Sequence, residues 1–159
     1  MKALYLIRHA KSDWNNPDLT DYERPLNKRG FKDAPFMAKK LLELNFNPGL
    51  IVASPAQRTS STAELISKNT SVLYENSIYE ASLNDLTTLI SALPNENSEI
   101  ALIGHNPSIT TLSNYLTNDI IRNMPTCSII KIELEIEHWN EIIQGIGIQK
   151  FFIYPKAFN

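Results

Sequence analysis

Three runs of four apolar residues constrain this chain most: Leu4-Tyr5-Leu6-Ile7, Leu50-Ile51-Val52-Ala53 and Ile100-Ala101-Leu102-Ile103. None alternates with polar residues. A strand with one wet face alternates, so unbroken short runs predict strands buried on both faces, as in a parallel sheet covered by helices. Each run then stops at a polar or turn segment: Arg8-His9, Ser54-Pro55-Ala56-Gln57-Arg58, and Gly104-His105-Asn106-Pro107. In an open α/β sheet the carboxyl ends of parallel strands share one edge, and ligands bind there. The plain alternative for any one of these ends is a strand terminus that reaches water.

The segments between the runs predict helices. Asn27 suits the cap of a helix running to about Leu44, with Phe31, Ala34, Met37, Ala38, Leu41 and Leu42 on one face. Pro35 inside that pattern predicts a kink or a late start. Ser54 and Pro55 read as the cap and first position of a second helix, with Thr59, Thr62, Ala63 and Ile66 facing inward. Ser71 to Tyr74 reads as a short strand. Ser82 caps a helix over residues 83–92, which Pro94 ends, and about ten helical residues follow Pro107. Alternating strands and helices argue for a mostly parallel sheet with helices on both faces, a three-layer α/β/α architecture. After Cys127 the pattern changes. Ser128 to Glu135 alternates apolar and charged residues, a turn lies at His138-Trp139-Asn140, and Glu141 to Lys150 reads as the return strand of an antiparallel pair. Residues 10–27 are polar, carry two prolines and show no period, and a stretch of that kind within a compact domain is usually functional.

Composition excludes several classes. The length, 159 residues, suits one domain spanning 1–159. A net charge of −2 argues against a broad nucleic-acid surface, while leaving room for a local cationic pocket. No apolar run approaches membrane-spanning length, and the short apolar stretch after Met1 does not make a signal peptide, so the expected location is the cytoplasm. The lone Cys127 fits a reducing compartment and reads as a small core residue. The histidines lack the short spacing of a zinc site, His138 is expected to be exposed, and no cofactor is implied. Asp13, Asp18, Asp21 and Glu23 read as a solvated loop face. Lys28, Arg29 and Lys32 form a small basic patch, either ordinary surface or a contact for an acidic partner.

If the three strand ends meet, Arg8, Arg58, His9 and His105 converge. Two guanidiniums suit phosphoryl oxygens, one neutral imidazole can attack phosphorus, and the other can hold an oxygen. The blocks Leu6-Ile7-Arg8-His9-Ala10, Ser54-Pro55-Ala56-Gln57-Arg58-Thr59 and Gly104-His105-Asn106-Pro107 resemble the signature segments of the histidine phosphatase superfamily, the phosphoglycerate-mutase-like fold. The short length, Arg-His-Ala in place of Arg-His-Gly, Arg24-Pro25-Leu26-Asn27-Lys28-Arg29-Gly30, Tyr79-Glu80-Ala81-Ser82 and the closing Trp139 strand pair resemble its SixA-type phosphohistidine phosphatases. The resemblance implies a metal-independent phosphatase in which His9 is transiently phosphorylated. Arg8, Arg58 and His105 then complete the phosphate pocket, and Glu80 falls where many members carry a general acid. It implies a phosphoprotein substrate, such as a histidine phosphotransfer domain. The alternatives are a phosphatase of small phosphate esters and a catalytically silent phosphate-binding module. Ala10 departs from the superfamily's glycine, and the chain has no room for large lid insertions.

Overall fold

The computed structural model describes residues 1–159. The chain runs β1 (Lys2–Arg8), α1 (Lys28–Glu43), β2 (Leu50–Ala53), α2 (Gln57–Ser67), β3 (Val72–Tyr74), α3 (Leu83–Ser91), β4 (Glu99–Gly104), α4 (Ser108–Thr117), β5 (Ile129–Leu134) and β6 (Gly147–Ile153). The strands form one sheet in the order β3-β2-β4-β1-β5-β6. β1 to β4 are mutually parallel, β5 runs antiparallel to β1, and β6 pairs antiparallel with β5.

The unbroken apolar runs are explained by helices on both faces. Leu4 and Leu6 pack with Val52, Leu102 and the α3–α4 side chains Leu86, Ile90 and Leu112. The intervening Tyr5 and Ile7 pack with Ile51, Ile103 and the α1–α2 side chains Met37, Leu41, Ala63 and Ile66. Alternate residues of β1 thus enter two different cores, and all four of them are fully buried. β5 alternates as its sequence does, with Ile130, Ile132 and Leu134 buried and Lys131 and Glu133 half-buried.

Four local expectations are corrected. α1 begins directly after its Asn27 cap and continues through Pro35. Its buried stripe is Gly30, Ala34, Met37, Ala38 and Leu41, while Phe31 and Leu42 face outward. Gly30 explains the rotation: a Cβ there would collide with the Lys11 carbonyl, so this turn of the helix lies directly against the segment leaving β1. Ser54 does not cap α2, which starts three residues later after Ala56. The return strand starts at Gly147, because Trp139–Glu141 forms a one-turn 3-10 helix that buries the Trp139 ring. The Trp139 indole N–H donates to the Asn97 carbonyl at 3.0 Å, tying this turn to the approach to β4.

Candidate active site

The sheet register places the site. Arg8 of β1 pairs with Gly104 of β4, so the next residues, His9 and His105, emerge side by side. The His9 N–H donates to the Gly104 carbonyl at 3.2 Å and the Ser54 N–H to the Ile103 carbonyl at 3.1 Å, which levels all three strand ends. The two imidazole centroids are 5.3 Å apart. Arg8, His9, Arg58 and His105 line one open cavity of about 200 Å³, together with Lys11, Ser12, Trp14, Arg24, Asn106 and Thr126. Glu80 is exposed, has a φ of +53° and lies outside this lining. His138 is exposed, as expected.

Backbone contacts set the His9 ring. Its Nδ1 lies 2.7 Å from the Ala10 carbonyl oxygen. A carbonyl only accepts, so Nδ1 carries the proton and Nε2 keeps its lone pair. Ala10 is held in turn, its N–H donating to Thr62 Oγ1 at 3.0 Å, while that hydroxyl donates to the Arg58 carbonyl at 2.7 Å. One threonine therefore latches the first strand end to the helix bearing Arg58. The Cys127 N–H donates to the His9 carbonyl at 3.0 Å. Its thiol is buried, which pushes its pKa up to about 12 and leaves it inert.

The cavity is cationic and short of acceptors. Arg8 Nη1 donates to the Met124 carbonyl at 2.8 Å, and Arg58 Nη1 and Nη2 donate to the Asp21 carbonyl at 2.7 Å and to Asp21 Oδ2 at 3.0 Å. Arg8 Nε, Arg58 Nε and His105 Nδ1 are buried without a partner. Buried donors are normally satisfied, so three orphans around one cavity suit an anionic ligand that accepts from them. His105 Nε2 meets Ser54 Oγ at 2.9 Å, the task Ser54 performs instead of capping a helix.

Asp21 is a bridge rather than a solvated loop carboxylate. It accepts from Arg58, from Arg24 Nε and Nη2 at 3.3 and 3.1 Å, and from the Tyr79 hydroxyl at 2.6 Å. Partial burial pushes its pKa up, but the hydrogen bonds from Tyr79, Arg58 and Arg24 outweigh this and hold it at about 2. Arg24 is buried and also donates to Ser12 Oγ at 2.8 Å. Arg24, Asp21, Ser12, Trp14 and Ser54 were not singled out from the sequence as site residues. The available signal was the Arg24-Pro25-Leu26 block within an otherwise aperiodic polar segment. The basic patch lies elsewhere: Arg29 and Lys32 border a separate groove of about 530 Å³ against Lys156 and Phe158, which contains no histidine.

Burial dominates the titration of both imidazoles. It lowers His9 to about 3, aided by His105, Arg58 and Arg8, and lowers His105 to about 4, aided by Arg58. Both rings are neutral at pH 7. In the unfolded chain they titrate near 6.5, so between about pH 6.5 and 3 the unfolded state binds more protons. Stability therefore falls as pH drops through that window. Thermal melting should show Tm declining from pH 7 to pH 4, with a flatter profile in a His9→Ala/His105→Ala variant. A wild-type Tm independent of pH over that range would contradict two buried neutral imidazoles.

Comparison with known proteins agrees with this geometry. The sequence profile of the histidine phosphatase superfamily (branch 1) matches residues 4–96, more than half of the chain. An uncharacterised chloroplastic protein of Arabidopsis thaliana is 29% identical over 153 residues, covering 88% of this chain and 70% of that protein. Among solved structures, a protein from Agrobacterium tumefaciens designated phosphohistidine phosphatase SixA superposes with a TM-score of 0.84 at 24% identity, covering 97% of this chain and 98% of its own. A protein histidine phosphatase SixA complexed with tungstate gives 0.83 at 20% identity, with 99% of both chains covered. A phosphoserine phosphatase from Entamoeba histolytica gives 0.71 at 16% identity over the full length of both chains. With two histidines and two arginines brought to one sheet edge and the profile matching from β1 through α3, the chain belongs to the histidine phosphatase superfamily, branch 1.

Proposed function

We propose that this protein is a metal-independent phosphatase that works through a transient phosphohistidine on His9, with a protein-borne phosphohistidine as substrate. The observation that carries the reading is the His9 ring: Nδ1 tied to a carbonyl, Nε2 left with its lone pair, and guanidiniums lining the same cavity. His9 Nε2 attacks phosphorus, the bond to the leaving group breaks, and water then takes the phosphoryl group from His9 to give inorganic phosphate. Arg8 and Arg58 neutralise the phosphoryl oxygens. In this reading the Ser54 hydroxyl donates across its 2.9 Å contact to His105 Nε2, and the unpartnered His105 Nδ1 carries the proton offered to a phosphoryl oxygen. Arg8, Lys11, Arg24 and Arg58, offset only by the Asp21 carboxylate, leave three positive charges around a phosphoryl dianion. This cationic lining repels a metal ion, and chelators are expected to leave turnover unchanged.

Two observations support phosphohistidine over an alkyl ester. The cavity is open, and no carboxyl group lines it. An alkyl phosphate expels an alkoxide that needs a proton, whereas an imidazole leaves with little help. Glu80, outside the lining, is the acid that an ester reaction would need to recruit. With matched phosphohistidine and phosphoserine peptides, kcat/KM should favour phosphohistidine by at least about tenfold, a difference of about 1.4 kcal/mol in barrier. Glu80→Gln should slow the ester more than the phosphohistidine. Equal or better turnover of phosphoserine by the wild type would instead favour a phosphatase of small phosphate esters, and binding without turnover a silent module.

A further inference from the structure

Trp14 is the one apolar side chain of the cavity wall, and it is 73% exposed. Single exposed aromatics are ordinary, but this one is held in place. Its ring lies over the Arg24 guanidinium, 3.4 Å from Cζ to the ring centroid. Arg24 is itself buried and anchored to Asp21 and Ser12. The chain on either side is pinned as well. Ser12 bridges to Leu26, the Asp13 N–H donates to the Pro25 carbonyl at 2.8 Å, and the Asn15 N–H donates to Asp13 Oδ1 at 2.7 Å. One face of the indole therefore rests on a fixed cation, and the rest of the ring is presented to solvent at the cavity mouth.

We infer that the free face of Trp14 stacks on the planar ring of the leaving group, making Trp14 the residue that selects phosphoryl groups carried on an imidazole. The inference deepens the phosphatase reading above and rests on it. A pre-ordered indole loses little freedom on binding, and stacking adds to the apolar area it covers. Imidazole is favoured over a neutral phenol ring by charge. A phosphoimidazole protonated on its distal nitrogen carries positive charge in the ring, and an indole face attracts a cation. The same proton completes the chemistry. As His9 Nε2 bonds to phosphorus, the phosphorus–nitrogen bond breaks, its electron pair returns to the ring, and the ring departs as neutral imidazole with the proton it already carried. No acid in the cavity is required.

The test separates the ring from the reacting bond. Phosphoimidazole and phosphoramidate both break a phosphorus–nitrogen bond, but only the first has a ring. Their kcat/KM values, and that of a protein carrying phosphohistidine, should be measured for wild type, Trp14→Ala and Trp14→Phe. Trp14→Ala should lose about tenfold more on phosphoimidazole than on phosphoramidate. The loss should appear mainly in KM, because stacking acts on bound substrate and transition state alike. Trp14→Phe should recover most of it. Equal losses on both substrates would overturn the inference and assign Trp14 to holding Arg24. A loss seen only with a phosphorylated protein, not with phosphoimidazole, would also overturn it and place Trp14 against the partner's surface. Wild-type protein that turns over neither compound nor a protein-borne phosphohistidine would remove the phosphatase reading itself, and the inference with it, before any variant is compared.

Discussion

His9→Ala is expected to lower turnover by on the order of 10⁴-fold or more, because the residue that forms the covalent intermediate has no substitute in the cavity. The neighbouring ring cannot take over. His105 has Nε2 on Ser54 and its own place in the cavity wall, 5.3 Å away between centroids. The variant should still fold, since His9 contributes one backbone-directed hydrogen bond and little apolar packing. It should also still bind inorganic phosphate, because Arg8, Arg24 and Arg58 remain. Burst kinetics on a chromogenic phosphate ester, with acid-labile phosphate trapped on the wild type only, would check both points. Activity within tenfold of wild type would exclude His9 as the nucleophile.

The second large effect is expected at Arg58. Arg58→Ala removes a buried cation from the cavity and unties Asp21, whose carbonyl and carboxylate both accept from that guanidinium. Removing one preorganised donor of transition-state charge costs on the order of 10²–10³ in kcat. Losing Arg58 also frees the loop that positions Arg24, so a loss near 10³ in kcat/KM is expected. Arg58→Lys should recover only part of it. A lysine ammonium holds its three donors on one nitrogen, whereas Arg58 uses Nη1 and Nη2 on two Asp21 oxygens with Nε left over, a spread that a point charge does not reproduce. Steady-state kinetics with phosphate inhibition as a second readout would decide. If Arg58→Lys matched wild type, charge alone would suffice and the Asp21 bridge would be dispensable.

Much of the fold was legible because burial on both sheet faces leaves an unambiguous trace. Leu4–Ile7, Leu50–Ala53 and Ile100–Ile103 lack alternation because alternate residues enter two different helical layers. Once these are parallel strands, their carboxyl ends share an edge, and Arg8, His9, Arg58 and His105 follow from position alone. The β5 alternation was equally readable, since one register of its side chains is wet.

Residues 10–27 were not readable, for a physical reason. Their conformation is not set by local periodicity but by partners far along the chain: Arg58 and Tyr79 reach Asp21 from 37 and 58 positions away. A carboxylate that looks solvated in a polar stretch becomes a bridge only when α2 and the loop before α3 are in place. Ser54 shows the same limit. Ser-Pro is a good local start for a helix, yet the β2–β4 register brings His105 within hydrogen-bonding distance of its hydroxyl, and the helix begins at Gln57 instead. The Phe31 and Leu42 misplacement has a similar origin, because Gly30 lets α1 sit directly on the Lys11 carbonyl and turns both side chains outward. The layers, the strand identities and the two-histidine, two-arginine edge are legible in short segments, because hydrophobic burial and strand polarity are local properties. The strand order, the Asp21 bridge between Arg24 and Arg58, the tie from Ser54 to His105 and the seating of Trp14 on Arg24 arise in tertiary packing. Each of these joins residues from separate segments, and the contacts exist only when the sheet has brought them together.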